Sequence, residues 1–261
     1  MDKPNVFRSS NFHMDDGDIL HVILKSETDD NVSVHLMGTQ YSTAEDYGGD
    51  LLQDYDGNTY TEVVIGTQRW LVENFKCTHY KDGTAISNLT LAADWLLEDG
   101  TAGHDGAYCW YNNDAVTYAD YGLLYNWYAV NNTHVLPYLT RDGVEESGWR
   151  VSTKTDWDTL IAFIGGNKYS GKLKENTNDY WLSLLHPYYS DNSTGLTILP
   201  SGRRFHPGSA SFGSIGSVAW IWTATEDGSD AYVAYMEHSN NYSLLTPTKG
   251  FGCAVRLIRD A

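Results

Sequence analysis

Basic residues are scarce in this chain. Lys and Arg number 17 against 34 Asp and Glu, a formal charge of −17. A surface that acidic repels phosphate backbones and anionic lipid, which argues against nucleic acid as a partner and against binding to a membrane surface. Cysteine is nearly absent. Cys77, Cys109 and Cys253 leave at least one thiol unpaired, and no Cys-x-x-Cys or Cys/His zinc spacing occurs. Three half-buried thiols are the expectation. No apolar run approaches the roughly 18 residues that would suggest membrane insertion. The start, Met1-Asp2-Lys3-Pro4, lacks the basic and apolar regions of a secretory signal. That leaves a cytoplasmic location, or a cell or virion surface reached by another route. Gly-x-Ser-x-Gly, P-loop and His-Glu-x-x-His patterns are missing as well.

Aromatics are abundant, with 19 Tyr and 9 Trp. That suits sheets and binding surfaces better than helical bundles. Residues 1–50 differ in texture from the rest. Two alternating runs, 19–25 and 32–37, flank Thr28-Asp29-Asp30-Asn31 and read as an accessory β-hairpin that could dock on a second copy of the chain. Residues 51–261 form the main domain. Asp56-Gly57-Asn58 is a turn into the strand Thr61–Ile65. A calcium loop is disfavoured there, because no Glu stands at the twelfth position. A short helix is expected over Leu91–Leu97. Leu123, Leu124, Trp127 and Tyr128 share a face at helical spacing, so another helix is expected within Tyr121–Val130. Residues 131–148 read as a polar insertion. Thr153 with Asp156 forms a capping box. Trp157, Leu160, Ile161 and Ile164 make the buried stripe of the helix that follows, and Gly165-Gly166 stops it.

The chain is organised around Thr197–Asp260. Apolar strands at Ile198-Leu199 and at Val255, Leu257 and Ile258 close a run rich in Gly, Ser, Asn and aromatics. Tyr and Trp give large contact area for few rotatable bonds, and Ser and Asn give adaptable hydrogen bonds. The competing reading is that these aromatics are strand core. Trp222, in the run ending Thr223-Ala224-Thr225, is assigned to a central strand. Arg204 and Arg256 could pair with Glu226 or Asp260. His206 and His238, with Glu226 or Glu237, could hold a metal or do acid–base work. Contact with a ligand or with solvent is the commoner role of such histidines.

Several motifs recur together: Asp56-Gly57-Asn58 with Tyr60, Ile65-Gly66-Thr67-Gln68 with Trp70, Glu73-Asn74, Tyr108-Cys109-Trp110-Tyr111-Asn112-Asn113, Tyr125-Asn126-Trp127-Tyr128-Ala129-Val130, Gly148-Trp149 with Val151, Leu199-Pro200 with Gly202 and Arg204, Thr225-Glu226, and Val255-Arg256 with Arg259-Asp260. With these the chain resembles the Fibrobacter succinogenes major paralogous domain over roughly 54–260. The resemblance implies an α+β, C-type-lectin-like fold with short antiparallel sheets, two helices and long loops. It also implies kinship with the formylglycine-generating enzyme and with the variable proteins of diversity-generating retroelements, whose C-terminal stretch is rewritten to change ligand specificity. Two departures stand out. Members of the family often carry a pair of cysteines where this chain has a residue near Leu136 and Leu257, so apolar packing would replace a disulfide. Where family tails are often strings of Asn, this chain holds Phe205, His206, Ser217, Trp220, Tyr235, His238 and Tyr242.

The resemblance and the composition converge on a non-enzymatic binding module with no cofactor and no metal. Its ligand face is expected at Arg204, Phe205, His206, Ser217, Trp220, Tyr232, Tyr235, His238 and Tyr242. A protein partner is favoured over a sugar, because the calcium-and-carbohydrate signature of lectins is missing. The alternatives are a surface-assembly module using the N-terminal hairpin as a homo-oligomer contact, and a metal-dependent enzyme. The paired cysteines of the formylglycine-generating site have no counterpart, since only Cys253 lies in the C-terminal half.

Overall fold

A computed structural model describes residues 22–25, 31–34, 51–98, 100–101, 106–177, 179–182, 190–239 and 241–261. Two compact units divide between Tyr47 and Gly48. In the first, Val22–Lys25 pairs antiparallel with Asn31–Val34. The rest of the N-terminal reading lies outside the described residues.

The second unit is mixed α+β, built of short, mostly antiparallel sheets and few helices. The largest sheet has six strands. Its order runs Phe212–Ile215, Ser201–Arg204, Val218–Asp227, Asp230–Glu237, Tyr242–Leu245, with Ala254–Val255 paired in parallel to Val218–Asp227. A four-stranded sheet joins Arg150–Val151, Leu257–Asp260, Gln68–Leu71 and Glu62–Ile65. The end of the chain thus crosses between the two sheets at Arg256.

Helices α1 (Ala92–Leu97), α2 (Trp127–Val130) and α3 (Lys154–Ile164) complete the frame. The start of α3 is set as its sequence dictates. Thr153 Oγ1 accepts from the Asp156 amide at 3.3 Å, and the Asp156 carboxylate accepts the Thr153 amide at 2.7 Å. Trp157, Leu160, Ile161 and Ile164 pack on Ala219, Ile221, Ala234, Met236 and Tyr242 of the large sheet. Each large side chain buried in this way contributes about 1.5–3 kcal/mol. Trp222 and Val233 face the other way, into a second cluster with Tyr60, Phe75, Trp127 and Leu257. Leu136 and Leu257 are both buried in that cluster, where the family's pattern suggested cysteines.

Two expectations are corrected. The helix expected within Tyr121–Val130 is confined to α2, because Leu124-Tyr125 pairs as a strand with Tyr108-Cys109. Asn126 then caps α2 by accepting from the Ala129 amide. The stretch 131–148 is no mere polar insertion. Leu139–Arg141 and Val144–Glu145 form a hairpin whose Asp142 and Gly143 both have positive φ, the two-residue turn that matches strand twist.

All three cysteines are free and buried. Burial pushes the thiols of Cys77 and Cys109 up to about 12, and that of Cys253 upward as well. A folded thiol therefore keeps its proton where an unfolded one, near 9.0, has released it. Stability from this source is complete below pH 9 and is lost as pH rises toward 12. Guanidinium unfolding at roughly pH 8 and pH 10 should show a lower midpoint at the higher pH. A Cys77→Ala, Cys109→Ala, Cys253→Ala variant should lose part of that drop. An unchanged drop would show that the thiols do not cause it.

Candidate functional site

Strand parity decides which side chains of the C-terminal stretch meet. Gly202 pairs in parallel with Ala219, so Arg203 lies beside Trp220 while Arg204 points to the opposite side. The Arg203 guanidinium sits between two rings, 4.3 Å from the centroid of Phe205 and 4.2 Å from that of Trp220. Trp220 and Tyr235 are cross-strand partners. Their rings meet edge to face at 5.3 Å and 83°. Phe251 stacks on Trp220 at 6.1 Å and 20° and touches Phe205 at 6.0 Å. The result is one arginine in a frame of four aromatic rings.

The same sheet face is core at one end and open at the other. Trp127 of α2 covers the end near Trp222, donating its indole N–H to the Thr223 carbonyl at 3.0 Å. Trp222 donates to the Tyr125 carbonyl at 2.8 Å and has no exposed surface. Two residues back along the strand that cover has ended. Arg203, Phe205, Tyr235 and Phe251 are each half-buried, and Trp220 retains 8% exposure.

Of the residues expected to face a ligand, Phe205, Trp220 and Tyr235 are brought together here. The others are placed elsewhere. Arg204 is 1% exposed and lies against the Trp95 ring. It donates to the carbonyls of Ala210, Leu89 and Thr90, not to Glu226, and so locks loops together. Tyr242 is buried on the α3 side, stacked on Trp157. Tyr232 lies near the start of α3, with the Lys154 amine 5.9 Å from its ring. Half-buried His206 packs against Gly250, where a methyl group would have no room, and burial lowers its pKa. His238 is exposed, and its carbonyl accepts from the buried Lys174 amine at 3.2 Å. Ser217 sits in the turn before Val218, its amide bonded to the Ser214 carbonyl. Arg203 and Phe251 were missed. Arg203 stands between the motif positions Gly202 and Arg204, and only pairing reveals its side.

The electrostatics single out Arg203. Every other described arginine is engaged: Arg69 with Glu62, Arg141 with Glu146, Arg150 with Asp156, Arg259 with Glu146, and Arg204 and Arg256 with carbonyls. Arg203 has neither a hydrogen bond nor an ion pair among the described residues. Its Nε is covered and unpartnered, as is Nε1 of Trp220. Burial against the rings lowers the pKa of Arg203.

The acids expected near the histidines are occupied. Glu226 binds the Lys249 amine, and Glu237 accepts from the Ser239 hydroxyl. Asp54, Asp56 and Cys77 offer ligand atoms within 4.8 Å of one another. The Asp54 carboxylate there already accepts from the Tyr60 hydroxyl, two amides and the Asn58 side chain. That cluster organises the turn. Depressions of about 300 and 330 Å³ lie away from the rings, one beside Trp127 and Asn131, the other beside Arg150 and Arg259.

A family model described as the Fibrobacter succinogenes major domain matches residues 63–259 and so spans the arginine–aromatic face. No curated protein matches the chain, and no solved structure does.

Proposed function

Because the chain belongs to the Fibrobacter succinogenes major domain family, we propose that it is a non-enzymatic binding protein whose recognition surface is the arginine–aromatic face of the large sheet. The scaffold is read as C-type-lectin-like, and the chain as a variable-type protein of the kind that diversity-generating retroelements rewrite. A near-copy of its 3′ coding end beside a reverse transcriptase would be the genomic mark of that role. One observation carries the reading. A half-buried guanidinium without a partner is held between Phe205 and Trp220 at the uncovered end of an otherwise packed sheet. Rigid rings around a polar anchor are the composition of a hot spot. A folded peptide or protein segment is the favoured ligand, since rings and a single charge offer area and register. Carbohydrate is the weaker candidate.

The test is a phage-displayed peptide selection on the intact protein, followed by affinity measurements on variants. Phe205→Ala and Tyr235→Ala should each weaken recovered binders by about tenfold or more. Tyr232→Ala, near α3, should leave them unchanged. Binders indifferent to both ring removals would overturn this reading.

A further inference from the structure

We infer that the face around Arg203 recognises a carboxylate presented by an acidic peptide segment, taken end-on by the two terminal nitrogens of the guanidinium. The inference rests on the binding role proposed above and adds the chemical class of the ligand.

The chain carries twice as many acidic as basic groups, 34 against 17. In such a chain a guanidinium is expected to find an intramolecular acid, and Arg69, Arg141, Arg150 and Arg259 have done so. Arg203 has not, although it is fixed in place by the rings on both of its faces. Stacking occupies those faces and leaves the edge for hydrogen bonds. Nε is covered, so the accessible part of that edge is the pair of terminal nitrogens. Two parallel N–H donors match the two oxygens of a carboxylate.

Phosphate is the competing anion. A dianion calls for more than one cation, and among the described residues no cation other than Arg203 lies over Phe205 or Trp220. Lys249 is held by Glu226 and the Gly228 carbonyl, and Lys174 is tied to carbonyls. The surrounding Phe205, Trp220, Tyr235 and Phe251 then contact the apolar part of the segment that carries the acid.

The peptides selected above supply the experiment. Sequences recovered on this face should be enriched in Asp and Glu. Changing the critical acid of one such peptide to its amide should weaken binding by about tenfold or more, and so should Arg203→Gln. Arg203→Lys keeps the charge without the fork and should restore only part of the loss. The peptide-side change keeps the test valid even if an Arg203 variant folds poorly. Glucuronate, a sugar acid, should compete weakly. Peptides weakened by Tyr235→Ala but lacking an acid, and indifferent to Arg203→Gln, would overturn the carboxylate while leaving the binding face intact. Binders indifferent to both changes would overturn both claims. Glucuronate or inorganic phosphate binding as tightly as the peptide would also overturn the assignment to an acidic segment.

Discussion

Replacing Arg256 with leucine is expected to lower the free energy of unfolding by about 3–5 kcal/mol. The residue sits where the chain leaves one sheet for another. Val255 pairs with Trp222 in the large sheet, and Leu257 pairs with Val151 in the four-stranded one. The guanidinium has no exposed surface, and among the described residues it forms no ion pair with a carboxylate. Nη1 donates to the carbonyls of Leu71 and Leu196 at 2.8 and 3.2 Å, and Nη2 donates to Asn74 Oδ1 at 2.9 Å. Burial pulls its pKa down to about 9, and the negative charge of Glu73 offsets that shift only in part. A buried charge is costly in itself. Its retention follows from geometry, since one planar fork donates to three buried acceptors at that junction at once. Leucine removes the charge but orphans three buried acceptors, each costing about 1–3 kcal/mol. Arg256→Lys keeps a cation but cannot span all three, so it should lose nearly as much. Urea unfolding monitored by tryptophan fluorescence would decide it. A leucine variant within about 1 kcal/mol of the parent would mean those acceptors find water or another donor.

Much of the frame was legible in the residues because local chemistry specified it. The Thr153–Asp156 box and the Gly165 stop bound α3 in sequence and in space alike. Asp56-Gly57-Asn58 turns a hairpin with Gly57 at φ +79°. The expected ligand face was only partly legible, because exposure on a strand depends on pairing. Arg203 and Arg204 are adjacent in the chain, yet one enters the ring cluster and the other the core. Tyr242 reads like any exposed tyrosine until its pairing with Met236 puts it over α3. Trp220 and Trp222 share a face, and only the position of α2 decides which of them is sealed. The stretch 131–148 was misread for a different reason. Its polar composition hid the Asp142-Gly143 turn, which was a local signal available all along.

Gly202→Ala is expected to cost about 3 kcal/mol or more and to abolish binding at the arginine–aromatic face together with stability. The glycine lies in mid-strand at φ +62°, a region that L side chains reach only with strain. A methyl group would lie 2.6 Å from the Gly213 carbonyl oxygen and 2.7 Å from the Ile215 amide nitrogen. Both atoms are backbone of the paired strand Phe212–Ile215, so no side chain can swing aside to relieve the contact. Either that strand separates from Ser201–Arg204 or residue 202 changes its torsions. The second response turns the residues beyond it, and Arg203 then leaves the space between Phe205 and Trp220. Gly57→Ala is the matched control, since its φ is +79° but nothing stands within 4 Å. That change should cost only the torsional strain, about 1 kcal/mol, with peptide affinity unaltered. Urea midpoints and peptide affinities for both variants separate the contact from the torsion. Equal losses in the two would show that the approach of Gly213 and Ile215 is not what holds residue 202 to glycine.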